Sequence, residues 1–252
     1  MARRRRHNRR SNRGRFAFLY RLLTFVVICG AIVAALALFF KVETIEVEGT
    51  ERYTPEEVIA ASGVNVGENL FLMDKYEVAA RIHSQLNYVE TVQISRNLPS
   101  TLHITVTESQ TTLAIVQEET AWLVSGTGKI VDSMDAGEAE SYPQVTGVTL
   151  TGPQVGKTVQ GDSETQRACQ MLLELLERLR GKNMLADVQG IQLEDASYIS
   201  IRYLDRFDVQ IPWDADLDYK LNYLLAVVEK LEDNERGTIN MLQERGVSFI
   251  PG

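Results

Sequence analysis

The sequence predicts an α+β protein carried on one N-terminal membrane helix, and three observations predict it. Residues Leu22 to Phe40 (LLTFVVICGAIVAALALFF) hold no charge. Beyond them, short stretches alternate polar and apolar residues at the period of a half-buried strand. Between those stretches, capped segments repeat apolar residues at helical spacing.

At about 1.5 Å per residue the run 22–40 reaches roughly 28 Å as a helix, the thickness of a bilayer's hydrocarbon core. Nine arginines and no acidic residue precede it: Arg3, Arg4, Arg5, Arg6, Arg9, Arg10, Arg13, Arg15 and Arg21. Positive flanks stay cytoplasmic, so the expected topology is single-pass, with the N-terminus inside and residues 41–252 outside. Ala35-Leu36-Ala37 spells a signal-cleavage pattern. The apolar run continues through Phe40, however, and the basic region is longer than a signal peptide's, which favours a retained anchor.

The chain holds 26 basic and 34 acidic residues; with nine bases before the span, the remainder has 17 against 34, a net of −17. The arm therefore reads as a topology signal with attraction to anionic lipid. The acidic remainder argues against a nucleic-acid partner. Cys29 lies in the span and Cys169 is alone outside it, so no intrachain disulfide is expected.

The elements then follow in order. Ile45 and Val47 alternate with polar neighbours as a strand that ends at Gly49-Thr50. Thr54-Pro55-Glu56-Glu57 opens a helix with a capping box, and Ser62-Gly63 closes it. Asp74-Lys75-Tyr76-Glu77 repeats the capping logic for a helix faced by Val78, Ile82 and Leu86. Strands at 89–95 and 101–108 are joined by Asn97-Leu98-Pro99-Ser100. Trp122-Leu123-Val124 and Lys129-Ile130-Val131 flank a glycine-rich turn, a hairpin. Ser163, with Gln166 three residues on, opens a helix carried by Ala168, Leu172, Leu175, Leu176 and Leu179. Strands near 190–193, 198–203 and 207–211 precede a last helix whose stripe is Leu217, Leu221, Leu224, Leu225, Val228 and Leu231. Gly237 to Met241 starts the strand expected to be final. The segments are thus a basic arm (1–21), a span (22–40), a first exterior unit (41–109) and a second, mixed β-rich unit (110–252).

Three stretches carry a resemblance to a known family. They are Phe40 to Val42 leading to Ile45-Glu46-Val47-Glu48-Gly49; Ser62-Gly63 through Gly67-Glu68-Asn69-Leu70-Phe71; and Asn97 to Glu108. Together, directly after a single span, they resemble the POTRA domain (β-α-α-β-β) of the FtsQ/DivIB cell-division proteins. Tyr142-Pro143-Gln144-Val145-Thr146-Gly147 is similar to that family's proline-to-glycine signature, and the segment from Gly237 to its closing strand.

The resemblance implies a non-enzymatic scaffold of the bacterial division machinery at the septum. It also implies binding of FtsL and of the coiled-coil protein FtsB or DivIC through the second domain. The candidate docking strand is Thr238, Ile239, Asn240, Met241, Leu242 and Gln243, with Val247 and Phe249 as apolar anchors. An edge strand offers unpaired N–H and C=O groups to an added partner strand. This sequence departs from the family pattern, with Asn240 where an Asp is usual and Leu242 and Gln243 in place of an Arg and an aromatic. Glu43 to Gly49 and Thr101 to Glu108 form a second candidate docking surface.

The residues offer little chemistry besides. His83 and His103 are expected to face water, and neither has a ligand spacing. Gly156-Lys157-Thr158 imitates the end of a phosphate-binding loop, but Thr151 stands where its first glycine is needed. Glu118-Glu119, Glu194-Asp195 and Asp214 to Asp218 read as solvated or capping carboxylates, with Asp214 and Asp216 suited to a helix start. No catalytic residue, metal or cofactor is expected. The rival readings are a membrane-anchored envelope hydrolase, which needs a nucleophile or metal pocket, and an envelope assembly factor, which carries several POTRA repeats and a barrel pattern.

Overall fold

The structure, a computed structural model, describes residues 13–109, 112–243 and 246–252. Arg3, Arg4, Arg5, Arg6, Arg9, Arg10 and His7 of the expected basic arm lie outside the described residues. Helix α1 runs Arg13–Phe39, and its most apolar window, Leu19–Leu36, has a mean hydropathy of 2.3. Among the described residues it is the one helix long and apolar enough to cross a membrane. It takes in residues 13–21 ahead of the expected span, where arginine, alanine and leucine are good helix formers.

The first folded unit follows as β1 (Thr44–Glu48), α2 (Pro55–Ser62), α3 (Lys75–Gln85), β2 (Val89–Asn97) and β3 (Thr101–Glu108). Its sheet order is β1-β3-β2, with β1 parallel and β2 antiparallel to the central β3. The capping box at Thr54 and Glu57 is formed, and Gly63 closes α2 in the left-handed conformation at φ 65°. Asp74 caps α3 through the Tyr76 N–H; Glu77 pairs with Arg81 instead of closing a box. Alternation puts Leu102, Ile104 and Val106 into the core against Val58, Val78 and Ile82. Gly49, at φ 82°, lets β1 turn away where an added Cβ would run into the Val106 carbonyl oxygen.

The second unit is one nine-stranded sheet in the order β12-β11-β10-β9-β8-β7-β4-β5-β6. Its strands are β4 (Thr112–Gln117), β5 (Thr120–Ser125), β6 (Ile130–Asp135), β7 (Gln144–Thr146), β8 (Val188–Gln192), β9 (Tyr198–Tyr203), β10 (Phe207–Pro212), β11 (Gly237–Asn240) and β12 (Ser248–Pro251). Helices α4 (Gln166–Gly181) and α5 (Leu217–Val228) supply apolar side chains to its core. The short β7, from the proline-to-glycine signature, is parallel to both β4 and β8 and joins the two halves. The Gly156-Lys157-Thr158 segment lies along β6, where Gly156 N–H donates to Ile130 O and Ile130 N–H to Lys157 O.

Three expectations are corrected here. The helix expected from Ser163 starts at Gln166 without a side-chain cap. The Asp162 carboxylate takes the N–H groups of Glu164 and Thr165 and the Thr165 hydroxyl, so the chain turns three residues longer. Leu225 is 39% exposed, because the buried arc of α5 is Leu217, Lys220, Leu221 and Leu224. The strand begun at Gly237 ends at Asn240 and is not the last one; β12 pairs antiparallel outside it.

The two units share a packed interface. Tyr88 is 7% exposed in a small core with Ala114, Ala121, Leu123 and Val131, and its hydroxyl donates to Asp132 at 3.1 Å. Lys129 donates to the His83 carbonyl at 3.0 Å, and Arg180 pairs with Glu90.

Candidate partner-docking surface

The C-terminal end of the large sheet is built by three strands and a helix. β11 pairs parallel with β10 in the register Asp208 to Thr238, Val209 to Ile239 and Gln210 to Asn240. β12 pairs with β11 as Thr238 to Ile250, Ile239 to Phe249 and Asn240 to Ser248. Strand alternation then separates two faces. Ile239 and Met241 are fully buried, and Val247 and Phe249 pack on the same core, with the Phe249 ring edge-on to Phe207 at 6.1 Å. On the opposite face stand Thr238, Asn240, Ser248 and Ile250, the last 53% exposed.

The direction of each backbone group on β12 follows from two hydrogen bonds. Gly252 N–H donates inward to Arg236 O at 2.9 Å, and Gly237 N–H donates away from β12, to Arg206 O at 3.0 Å. Because direction alternates along a strand, Ile250 and Ser248 face β11, while Phe249 and Pro251 face outward. Pro251 has no N–H to offer there, so Phe249 supplies the one outward N–H of β12. A proline on the free side of an edge strand is the usual placement. Among the described residues nothing pairs with this edge.

The structure therefore brings the candidate residues into one hairpin but gives them different roles. Ile239 and Met241 are core. Asn240 folds its side chain locally, accepting the Leu242 N–H at 3.0 Å. Leu242 and Gln243 lie in the exposed turn after β11. The free edge belongs to β12 and not to the 238–243 segment. An alternation of only four residues, Ser248 to Pro251, is too short a cue to separate a strand from a tail.

Lys220 is the residue that sequence reading missed. It is 5% exposed, and its ammonium donates to Met241 O at 2.8 Å and Gln243 O at 2.7 Å. The signal was present: a lysine three residues after Leu217 and four before Leu224 falls on the apolar arc of α5. Asp216 caps this helix through the Tyr219 N–H, and Asp218 binds Arg178 at 2.7 Å and Lys182 at 3.2 Å, fastening α5 to α4.

Across the open face runs an uncharged polar row. In register across six strands stand Thr146, Gln192, Ser200, Gln210, Asn240 and Ser248. The second candidate surface is arranged differently. β3 is central, with both edges taken, so β1 carries the free edge there. His103 of β3 does not face open water as expected: its side chain is 19% exposed, between Glu46 at 3.5 Å and Glu48 at 3.4 Å.

A cleft between the two folded units has charged groups that are already paired. The space of about 560 Å³ between the two units includes Glu90, Glu108 and Arg180 in its wall. Glu90 is committed to Arg180, and Glu108 accepts the N–H groups of Glu51, Arg52 and Tyr53. Burial pushes the Cys169 thiol above its ordinary range, which suits a core residue and not a nucleophile. Among the described residues no three His, Cys, Asp or Glu side chains gather as a metal site.

Comparison with known proteins decides the family. Residues 40–109 match the profile of the POTRA domain, FtsQ-type, and residues 114–244 that of the cell division protein FtsQ/DivIB, C-terminal. The chain belongs to the FtsQ/DivIB family. Cell division protein FtsQ of Syntrophotalea carbinolica is 28% identical over 197 residues, covering 77% of this chain and 67% of that protein. FtsQ of a Geobacter species is 30% identical over 159 residues, 63% of this chain and 53% of that protein. Cell division protein DivIB of Clostridium tetani is 22% identical over 206 residues, 81% of this chain and 76% of that protein. The chain thus spans between about half and three quarters of the length of these family members. The second profile ends at Met241-Leu242-Gln243-Glu244, so it includes β11 and stops before β12.

Proposed function

We propose that this FtsQ/DivIB chain is a non-enzymatic, single-span scaffold of the division machinery. In this reading residues 1–21 are a cytoplasmic arm and 22–40 cross the membrane. Residues 41–109 and 110–252 are the exterior domains, acting at the septum. The partners are FtsL and an FtsB- or DivIC-type protein, and the docking element is the C-terminal hairpin of Thr238 to Gln243 and Val247 to Pro251. The observation that carries the reading is the outward Phe249 N–H and C=O on β12, at the end of a continuous sheet. A partner segment added there extends the sheet by a tenth strand, with Ile250 as a side-chain contact on the open face.

The test compares Phe249→Pro with Phe249→Leu in the full chain, measuring binding of the FtsB- or DivIC-type partner by calorimetry in detergent. Proline removes the outward donor, which no strand among the described residues uses. One backbone hydrogen bond contributes about 1 kcal/mol, so a loss of roughly five- to tenfold relative to leucine is expected. Equal affinity of the two variants would place docking elsewhere.

A further inference from the structure

The membrane-proximal end of the POTRA unit exposes apolar side chains. Val66 is 71% exposed, Leu72 82%, Leu98 57% and Phe71 45%. They come from two turns separate in sequence, the 66–72 loop and the 97–100 turn, and both turns are fastened to the end of α1. Asn69 Nδ2 donates to the Leu36 carbonyl at 3.0 Å, and Leu70 N–H to Phe40 O at 2.9 Å. Phe71 packs edge-on to Phe40 at 5.1 Å. Pro99 lines one apolar hollow with Ile32, Leu36 and Phe39.

Depth follows from these contacts. Leu36 ends the most apolar window of α1. A window of 18 residues is about 27 Å long, close to the hydrocarbon thickness, and the uncharged run continues to Phe40, so groups bonded to the Leu36 and Phe40 carbonyls stand within about one helical turn of its boundary. We propose that the 66–72 loop and the Leu98-Pro99 turn are embedded in the headgroup–acyl boundary of the bilayer, docking the POTRA unit against the lipid surface at a fixed tilt. This rests on the reading that α1 spans the membrane.

The chemistry of the tip suits lipid. Much of the backbone of the 66–72 loop is paired within the protein: Asn69 Oδ1 accepts the N–H groups of Phe71 and Leu72, and Arg96 donates to Met73 O. Groups paired in this way enter a low-dielectric zone without an unmet hydrogen bond. Lys41 is exposed beside the helix end, and the Arg96 guanidinium lies 5.8 Å from the Phe71 ring, the cation and aromatic pairing of a headgroup region. Glu68, the acid within the loop, is drawn back onto Asn65.

The test uses the full chain with Cys29→Ser and Cys169→Ala, in nanodiscs of phosphatidylcholine and phosphatidylglycerol. Single nitroxides are placed through Leu72→Cys, Leu98→Cys, Ile32→Cys or Tyr219→Cys. Collision with oxygen and with a water-soluble nickel chelate is read by electron paramagnetic resonance. The expected result is that nickel collision at positions 72 and 98 falls severalfold below that at 219, with the oxygen-to-nickel ratio between those of 219 and 32. Labels at 72 and 98 as open to nickel as the one at 219, with 32 protected, overturn the docking and leave the span intact. A nickel-accessible label at 32 overturns the span, and the docking with it.

Discussion

The Lys220 ammonium lies 2.7 Å from the carbonyl oxygen of Gln243, so a charge on the buried side of α5 holds the turn between β11 and β12. The second bond, to Met241 O, fixes the same turn two residues earlier. Lys220→Met removes both donors while keeping the length of the side chain. The expected loss is about 2 kcal/mol of unfolding free energy, measured by urea titration. Amide hydrogen exchange in Ser248 to Gly252 should accelerate more than exchange in β9.

Tyr88 couples the two folded units, since its ring is buried among residues of β4, β5 and β6, with the Arg52 guanidinium 3.8 Å from its face. Tyr88→Ala should destabilise this interface by about 3 kcal/mol. Calorimetry should then resolve two transitions with separated midpoints. A single transition shifted as a whole would mean that the units remain coupled without this ring.

The phenols of Tyr88 and Tyr203 ionise late. Burial, and then the nearby carboxylates of Asp132 and Asp187 respectively, push each up to about 12 from an ordinary 10.0. The unfolded chain therefore releases these protons first. Their contribution to stability is complete below pH 10 and is lost as pH rises through 12. Phenolate absorbance should show amplitude near pH 12 that disappears in Tyr88→Phe and Tyr203→Phe.

Gly49→Ala tests the turn out of β1. An added methyl meets the Val106 carbonyl, and the φ of 82° is unfavourable for any side chain. The expected cost is about 2–3 kcal/mol, visible as a lower thermal midpoint.

Local chemistry was legible in the sequence where a few neighbouring residues determine it. Thr54 with Glu57, Gly63, and the alternation of Leu102, Ile104 and Val106 each specify their own conformation, and the structure has them. The family resemblance was legible too, because its signatures lie in such stretches. Long-range pairing was less so. β7 is three residues long and owes its existence to β4 and β8 on either side, and β12 owes its existence to β11. The Ser163 cap was misread because Asp162, one residue earlier, competes for the same amides. That contact also holds the Asp162 carboxyl below its ordinary range, with the Thr165 N–H as the first cause. Lys220 escaped notice since a lysine on an apolar arc reads as a flaw in the stripe until its two carbonyl partners are seen.

The narrow β7 has a mechanical consequence. It meets β4 at two register pairs and β8 at three, whereas β9 meets β10 at six. A pull carried from strand to strand across the sheet, along its hydrogen bonds, opens ladders one bond after another instead of shearing them together. The weakest row in that path is β7, and α4, whose leucines pack into the core shared by both halves, is the splint behind it. In a single-molecule tether between residue 41 and residue 252, this joint is the place where extension begins.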